Sequence, residues 1–163
     1  MNYSFNLKIS ISIVLLTLIL IKCHNSVQSE VVEKHPNGDT LKVHYYYQKR
    51  ENKEIIKEIE YYENGNKKFE GEYKKEKKHG KWTYWYKSGN IWSEGYYYKG
   101  QRNKETIVWY ENGKKNYNGL YKNGKPDGNW IFYNKNGDII KKVSFNKGEK
   151  IKEEEINKDI PFK

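Results

Sequence analysis

Cysteine is almost absent from this chain: Cys23 is the only one among 163 residues, so no internal disulfide can form. Histidine is scarce as well, and His24, His35, His44 and His79 share no spacing that would gather them around one metal ion or one nucleophile. There is no HExxH pair and no glycine-rich loop leading into a helix, the patterns of a zinc hydrolase and of a phosphate cradle. Leu, Val and Ala are few, which leaves little material for helices. Carboxylates are plentiful, so counting alone does not dispose of a paired-carboxylate hydrolase. Against it stands the repeat described below, which leaves only a short C-terminal tail and no insertion from which to build a pocket. The expectation is a protein with no enzymatic activity, no cofactor and no metal.

What the chain has in quantity is Tyr, Trp, Lys, Asn and Gly, the composition of strands and tight turns. Its formal charge is +10; Lys8 and Lys22 supply two of these charges in an N-terminal segment without acids, so the remainder carries +8. Such an excess attracts anionic lipid, nucleic acid or acidic polysaccharide. Lys and Glu nevertheless alternate along the chain without a dedicated basic block, so a charged, soluble surface accounts for the same numbers.

The N-terminus has the shape of an export signal. Met1 to Lys8 forms a short positive region, and Ile9 to Ile21 follows as an apolar run. A membrane-spanning helix needs about 20 apolar residues, which makes an uncleaved anchor the weaker reading. Leu20-Ile21-Lys22-Cys23 resembles a bacterial lipobox, in which the cysteine is acylated and becomes the mature N-terminus, with Lys22 where that motif normally has Gly, Ala or Ser. Cleavage after Val27-Gln28-Ser29 is the alternative. Either route exports the protein to the cell envelope, as a Cys23-anchored lipoprotein or in secreted or periplasmic form.

Beyond this signal over residues 1–23 and a linker over 24–30, the chain repeats with a period of 24 residues. Gly65, Gly89, Gly113 and Gly137 form one column, Tyr73, Tyr97, Tyr121 and Phe145 another, and Tyr61, Trp85, Trp109 and Tyr133 a third. Gly71, Gly95 and Gly119 make a fourth that breaks at Val143. A more degenerate unit precedes them, with Gly38 and Tyr46 at the same separation, so five units fill residues 31–153 and a tail covers 154–163. Fixed-period similarity of this kind means stacked supersecondary units.

Each unit reads as a β-hairpin: an aromatic run, a turn of the form ENG, KSG or KNG, and a second run. Glycine at the third turn position suits a three-residue loop closed by a left-handed residue. Links such as KNGKPDGN carry the residues that break strands. The predicted fold is all-β, an elongated single-layer antiparallel meander of stacked hairpins, with two strands adding about 9.6 Å per unit.

Pairing Tyr62 with Asn66 and alternating outward puts Ile59, Tyr61, Phe69, Gly71 and Tyr73 on one face, and likewise Thr83, Trp85, Gly95 and Tyr97 in the next unit. That is the expected structural face, where rings stack and the glycines leave room for them. The opposite face is expected to carry Trp82, Tyr84, Trp92, Trp130, Phe132 and Ile140 among Lys, Glu and Asn. Those rings are a candidate binding strip, although long Lys stems lying over them would shelter them without any ligand.

Gly80-Lys81-Trp82, Trp85-Tyr86, Gly89, Gly95, Tyr97 and Gly100 together resemble the MORN-repeat variant found in many bacterial proteins, and Gly128-Asn129-Trp130, Tyr133, Gly137 and Phe145 repeat much of it. Residues 58–81 lack the initial Trp, and Lys104 stands where Gly is expected before Thr106. The resemblance implies a non-catalytic scaffold of open hairpin stacks that contacts proteins or membranes; bacterial members are often labelled antitoxin-like. On this reading the partner is a protein or an extended envelope polymer held by the aromatic strip, or an anionic membrane surface held by the basic hairpins. Nucleic acid conflicts with export, although interleaved rings and cations are what single-strand binders use. The sequence sets neither the ligand nor the oligomeric state.

Overall fold

The computed structural model describes residues 26–156, all of them in strands, turns or short connections. The expected export signal and Cys23 lie outside the described residues. Eleven strands follow in order: β1 (Val27–Lys34), β2 (Thr40–Lys49), β3 (Asn52–Tyr61), β4 (Lys67–Lys74), β5 (Lys77–Trp85), β6 (Ile91–Tyr98), β7 (Gln101–Trp109), β8 (Lys115–Lys122), β9 (Lys125–Tyr133), β10 (Ile139–Asn146) and β11 (Glu149–Glu155). Each pairs antiparallel with its sequence neighbours in a single open sheet. The all-β meander expected from the period is therefore the observed fold.

Two kinds of turn alternate, one on each long rim of the sheet. On the first rim Tyr62 N–H donates to the Asn66 carbonyl at 2.8 Å and Gly65 N–H to the Tyr62 carbonyl at 2.9 Å, and the same pair of bonds closes the turns at Tyr86, Tyr110 and Asn134. The repeat glycines Gly65, Gly89, Gly113 and Gly137 sit at φ of 80°, 94°, 81° and 89°, where a side chain would be strained. On the second rim only Arg50 of the Arg50-Glu51 turn is left-handed, at 52°, while the other four connections are two-residue turns with both residues left-handed, such as Lys75 and Glu76 at 51° and 60°, or Asn123 and Gly124 at 52° and 79°. That is the type I′ geometry whose twist matches paired strands. The links expected to break strands are thus themselves tight hairpins, and Pro126 lies inside β9 opposite Tyr121.

The expected division of faces is corrected by a bulge. Tyr61 pairs with Lys67 as the turn demands, but Glu60 pairs with Phe69, leaving Lys68 as an extra residue. The same one-residue bulge recurs at Trp92, Asn116 and Ile140. One inserted residue reverses the alternation on one strand of each hairpin. Trp82 and Tyr84 consequently share a face with Phe69, Gly71, Tyr73, Gly95 and Tyr97, while Ile59, Thr83 and Trp85 turn to the other side.

The shared face holds most of the core, although Ile59 and Thr83 are buried on the other side. Trp82 is 1% exposed, Thr106 2% and Trp130 5%, with Val108 and Val143 buried beside them. Trp82, Thr106 and Trp130 occupy one position in successive units, and each leans toward the preceding strand. A Cβ on Gly71 would lie 2.1 Å from the Trp82 ring and one on Gly119 2.2 Å from the Trp130 ring. Val143 breaks the glycine column because the strand after it, β11, places Glu153 opposite and brings no indole. The indole N–H groups of Trp82 and Trp130 donate to the carbonyls of Glu72 and Leu120 at 3.1 and 3.2 Å.

Candidate functional site

The expected binding rings divide into covered and open ones. Trp82 stacks on Phe69 at 5.6 Å and meets Tyr73 and Tyr97 edge-on. The Lys78 ammonium lies 3.8 Å from the centroid of its ring and donates to the Tyr84 hydroxyl at 3.1 Å. A lysine stem thus does shelter the indole, the alternative to a ligand that the sequence left open. Arg102 takes the place of Lys78 one unit later, set between the rings of Tyr97 and Tyr121 at 5.7 and 5.4 Å and donating to the Thr106 hydroxyl. Tyr121 then meets Trp130 edge-on at 5.0 Å, and Trp130 meets Phe145. Trp82 and Trp130 are therefore joined through packed rings and cations as core. Phe132 lies half-buried against Tyr117 and under the Lys141 ammonium.

Of the expected strip only Trp92 stands well into solvent, 46% exposed on the bulge. It touches Tyr84 edge-on at 6.0 Å and Tyr86 at 6.4 Å. Burial raises the hydroxyl pKa of Tyr84 and of Tyr86 above the usual tyrosine value.

Tyr86 belongs to a column that the sequence reading missed. The hydroxyls of Tyr62, Tyr86 and Tyr110 donate to the carbonyls of Trp85, Trp109 and Tyr133 in the next unit at 2.8 to 2.9 Å. Asn64, Asn90 and Asn112 reach the following turn in the same way. The opposite rim is joined by backbone, with the N–H groups of Gly100, Gly124 and Gly148 donating to Lys78, Arg102 and Pro126. Tyr62, Tyr86 and Tyr110 stand 24 residues apart beside Tyr61, Trp85 and Trp109, but residue types alone do not show that their hydroxyls bond from one unit to the next.

The two rims differ sharply in charge. The turns of the second rim and their flanks, residues 49–53, 74–78, 98–102, 122–126 and 146–150, carry thirteen Lys and Arg against three Glu. The opposite turns, residues 35–39, 62–66, 86–90, 110–114 and 134–138, carry three Lys against four acids. Linear sequence hides this because the two rims alternate every dozen residues. Elsewhere on the sheet lysines are tied to carboxylates: Lys42 to Glu33 at 2.8 Å, Lys81 to Glu94 at 2.6 Å, and Lys57 and Lys67 both to Glu70. Burial alone would raise the Glu70 pKa, yet the hydrogen bonds from Lys57 and Lys67 outweigh it and hold that carboxyl below its ordinary value. Lys49, Lys53 and Lys150 of the basic rim are also paired, to Glu54, Glu30 and Glu153.

The chain enters the sheet at the basic rim. Val27, the first residue of β1, pairs with Tyr47 near the end of β2, two residues from the Lys49 turn. The last strand, β11, runs in the same direction as β1 and so ends at the opposite rim, where Ile156 N–H donates to the Ile140 carbonyl.

The histidines stand apart. His35 meets the Tyr61 carbonyl at 3.1 Å, His44 meets Glu58 at 3.0 Å, and His79 packs on the Tyr98 ring; His24 lies outside the described residues. Among the described residues no three His, Cys, Asp or Glu are grouped to hold a metal ion, and no helix is long and apolar enough to cross a membrane.

The profile of the MORN repeat variant matches residues 56–75, 78–99 and 126–147. The unit between, with Lys104 and Thr106 in the places of Gly80 and Trp82, is not matched, although it forms the same strands. No curated protein matches the chain. Among solved structures it is similar to TarM, including the S. aureus protein, at 11% identity over 85% of this chain with a TM-score of 0.33; it spans 23% of the TarM chain. It is also similar to a Bacteroides fragilis protein of unknown function, at 11% identity over 83% of this chain and 96% of that one, with a TM-score of 0.22. A MORN-repeat chain is a repeat scaffold of the kind that binds membrane lipids or proteins. Carrying three matched units between residues 56 and 147, this chain belongs to the MORN repeat variant family.

Proposed function

We propose that the protein is a non-enzymatic, envelope-associated scaffold that rests its basic rim on an anionic membrane surface, held there by its acylated or apolar N-terminus. The observation that carries this reading is the segregation of thirteen cations against three acids onto the rim at which the chain enters the sheet. Each Lys or Arg near an anionic leaflet contributes about 1 kcal/mol, within roughly one Debye length of the surface. Processing at Cys23 would leave β1 whole, whereas cleavage after Ser29 would remove its pairs with Tyr47, Tyr46 and Tyr45. Co-sedimentation of the full chain with vesicles tests the rim. Retention on acidic vesicles that falls as salt rises supports it, and equal retention on neutral vesicles at every salt concentration rejects it.

A second reading has its own observation. Trp92 is open to solvent beside Tyr84 and Tyr86, near the rim that would face away from the membrane. Such a ring, rigid and only partly covered, suits a protein or envelope-polymer partner. Trp92→Ala should reduce capture of a partner from envelope extract; unchanged capture would remove the aromatic reading and leave the rim standing.

A further inference from the structure

Two neighbouring turns of the basic rim enclose a cleft of about 310 Å³ lined by Lys74, Lys75, Lys77, His79, Tyr98 and Lys99. They are clasped by the Gly100 N–H, which donates to the Lys78 carbonyl at 2.9 Å. One wall is aromatic: the rings of His79 and Tyr98 lie 5.5 Å apart, and Tyr98 is 50% exposed. The Lys99 ammonium sits 5.3 Å from the Tyr98 centroid. No carboxylate lines the cleft; Glu76 of the same turn and Glu72, opposite His79, border other depressions. Among the described residues Lys74, Lys75, Lys77 and Lys99 have no ion-pair partner.

The fold does not require this concentration of cations. The next pair of turns along the rim places Gln101 where Lys77 stands, Asn103 where His79 stands, and Asn123 where Lys99 stands. The backbone clasp is the same there, from Gly124 to Arg102 at 2.8 Å. Four lysines confined beside two rings repel one another unless an anion joins them, and a phosphate group accepts charge-assisted bonds from several ammonium groups at once.

We infer that the cleft between the Lys75 and Lys99 turns is a binding site for a phosphate group, with Tyr98 and His79 as the wall against which the rest of the ligand lies. The inference deepens the rim reading above and rests on it for the source of the ligand, a lipid headgroup or a free phosphate. The full chain in maltoside micelles, titrated with inorganic phosphate at constant ionic strength, should show a saturable shift of the His79 ring resonances. Lys75→Gln combined with Lys99→Gln should raise the midpoint about tenfold, while the charge-matched pair Lys122→Gln and Lys125→Gln should leave it within about twofold. A soluble dihexanoyl phosphatidic acid that binds more tightly than inorganic phosphate assigns the site to a headgroup, and equal midpoints assign it to free phosphate. Two results would overturn the site: an identical titration by the Lys75/Lys99 variant, or the same response to chloride. In that event vesicle retention of the wild-type chain would survive, whereas loss of retention with an intact phosphate titration would reject the rim reading alone.

Discussion

At the scale of single residues, the glycine column reports where an indole needs room. Gly71 and Gly119 each face a tryptophan ring at a distance no Cβ tolerates, and that ring is buried on all sides. Gly95 meets nothing tighter than the Thr106 hydroxyl, at 3.3 Å from the position a Cβ would take, with the Arg102 guanidinium at 3.9 Å. Gly71→Ala and Gly119→Ala should therefore each lower stability by about 1–3 kcal/mol, the usual cost of overpacking. Gly95→Ala should cost less than either, and thermal unfolding of the three variants orders them. A second residue-level contrast concerns the bend shared by Gly80, Lys104 and Gly128, at φ of 66°, 66° and 67°. Lysine has a steric penalty there that glycine does not, so Lys104→Gly should raise the unfolding midpoint, reflecting a gain in stability of up to about 1 kcal/mol. A lower midpoint would mean that the Lys104 ammonium, 5.7 Å from the Tyr96 ring, contributes more than the strain.

At the scale of the element, the hairpin was legible and its pleat was not. The turn glycines, the period and the antiparallel order all followed from spacing, because a left-handed turn position and a 24-residue repeat are written directly in residue types. The bulge at Lys68, Trp92, Asn116 and Ile140 is occupied by four unlike residues, so no column marks it. With that residue uncounted, Trp82 and Trp130 fell on the wrong face and read as a surface strip. Of the type I′ turns, Asn123-Gly124 carries the usual residues, whereas Lys75-Glu76 carries neither Asn nor Gly and its left-handed residues are held by the flanking strands. The corrected pairing puts Glu70 between Lys57 and Lys67 on the face opposite the core. Its carboxyl is held below the ordinary glutamate value, so its ion pairs stabilise the fold in full above that value and are lost as pH falls through the lower folded one. Glu70→Gln should thus lower stability at neutral pH, by up to about 1 kcal/mol. The difference from wild type should shrink below pH 4, and denaturant unfolding at several pH values measures it. A difference independent of pH would show that the side chain acts by packing.

At the scale of the whole molecule, the sheet is a one-dimensional array in which each unit is held by its two neighbours. Both rims are joined, by tyrosine hydroxyls on one side and turn amides on the other, and the buried residues Trp82, Thr106, Val108 and Trp130 lie in the central strands. The edge strands have little of this: every residue of β11 is exposed, and β1 has one that is not. In such arrays local opening is easiest at the ends. Amide exchange should accordingly be fastest in β1 and β11 and slowest from β5 to β9. Adding anionic vesicles gives the same measurement a second use. If the basic rim meets the membrane, the amides of residues 74–78 and 98–102 should become protected, and β1, entering from that rim, should slow with them. The turns at 62–66 and 110–114, on the far side, should exchange as before. Protection confined to those far turns would place the acidic rim against the lipid, which thirteen cations on the other rim make electrostatically untenable, and the membrane reading would have to give way to one built on Trp92.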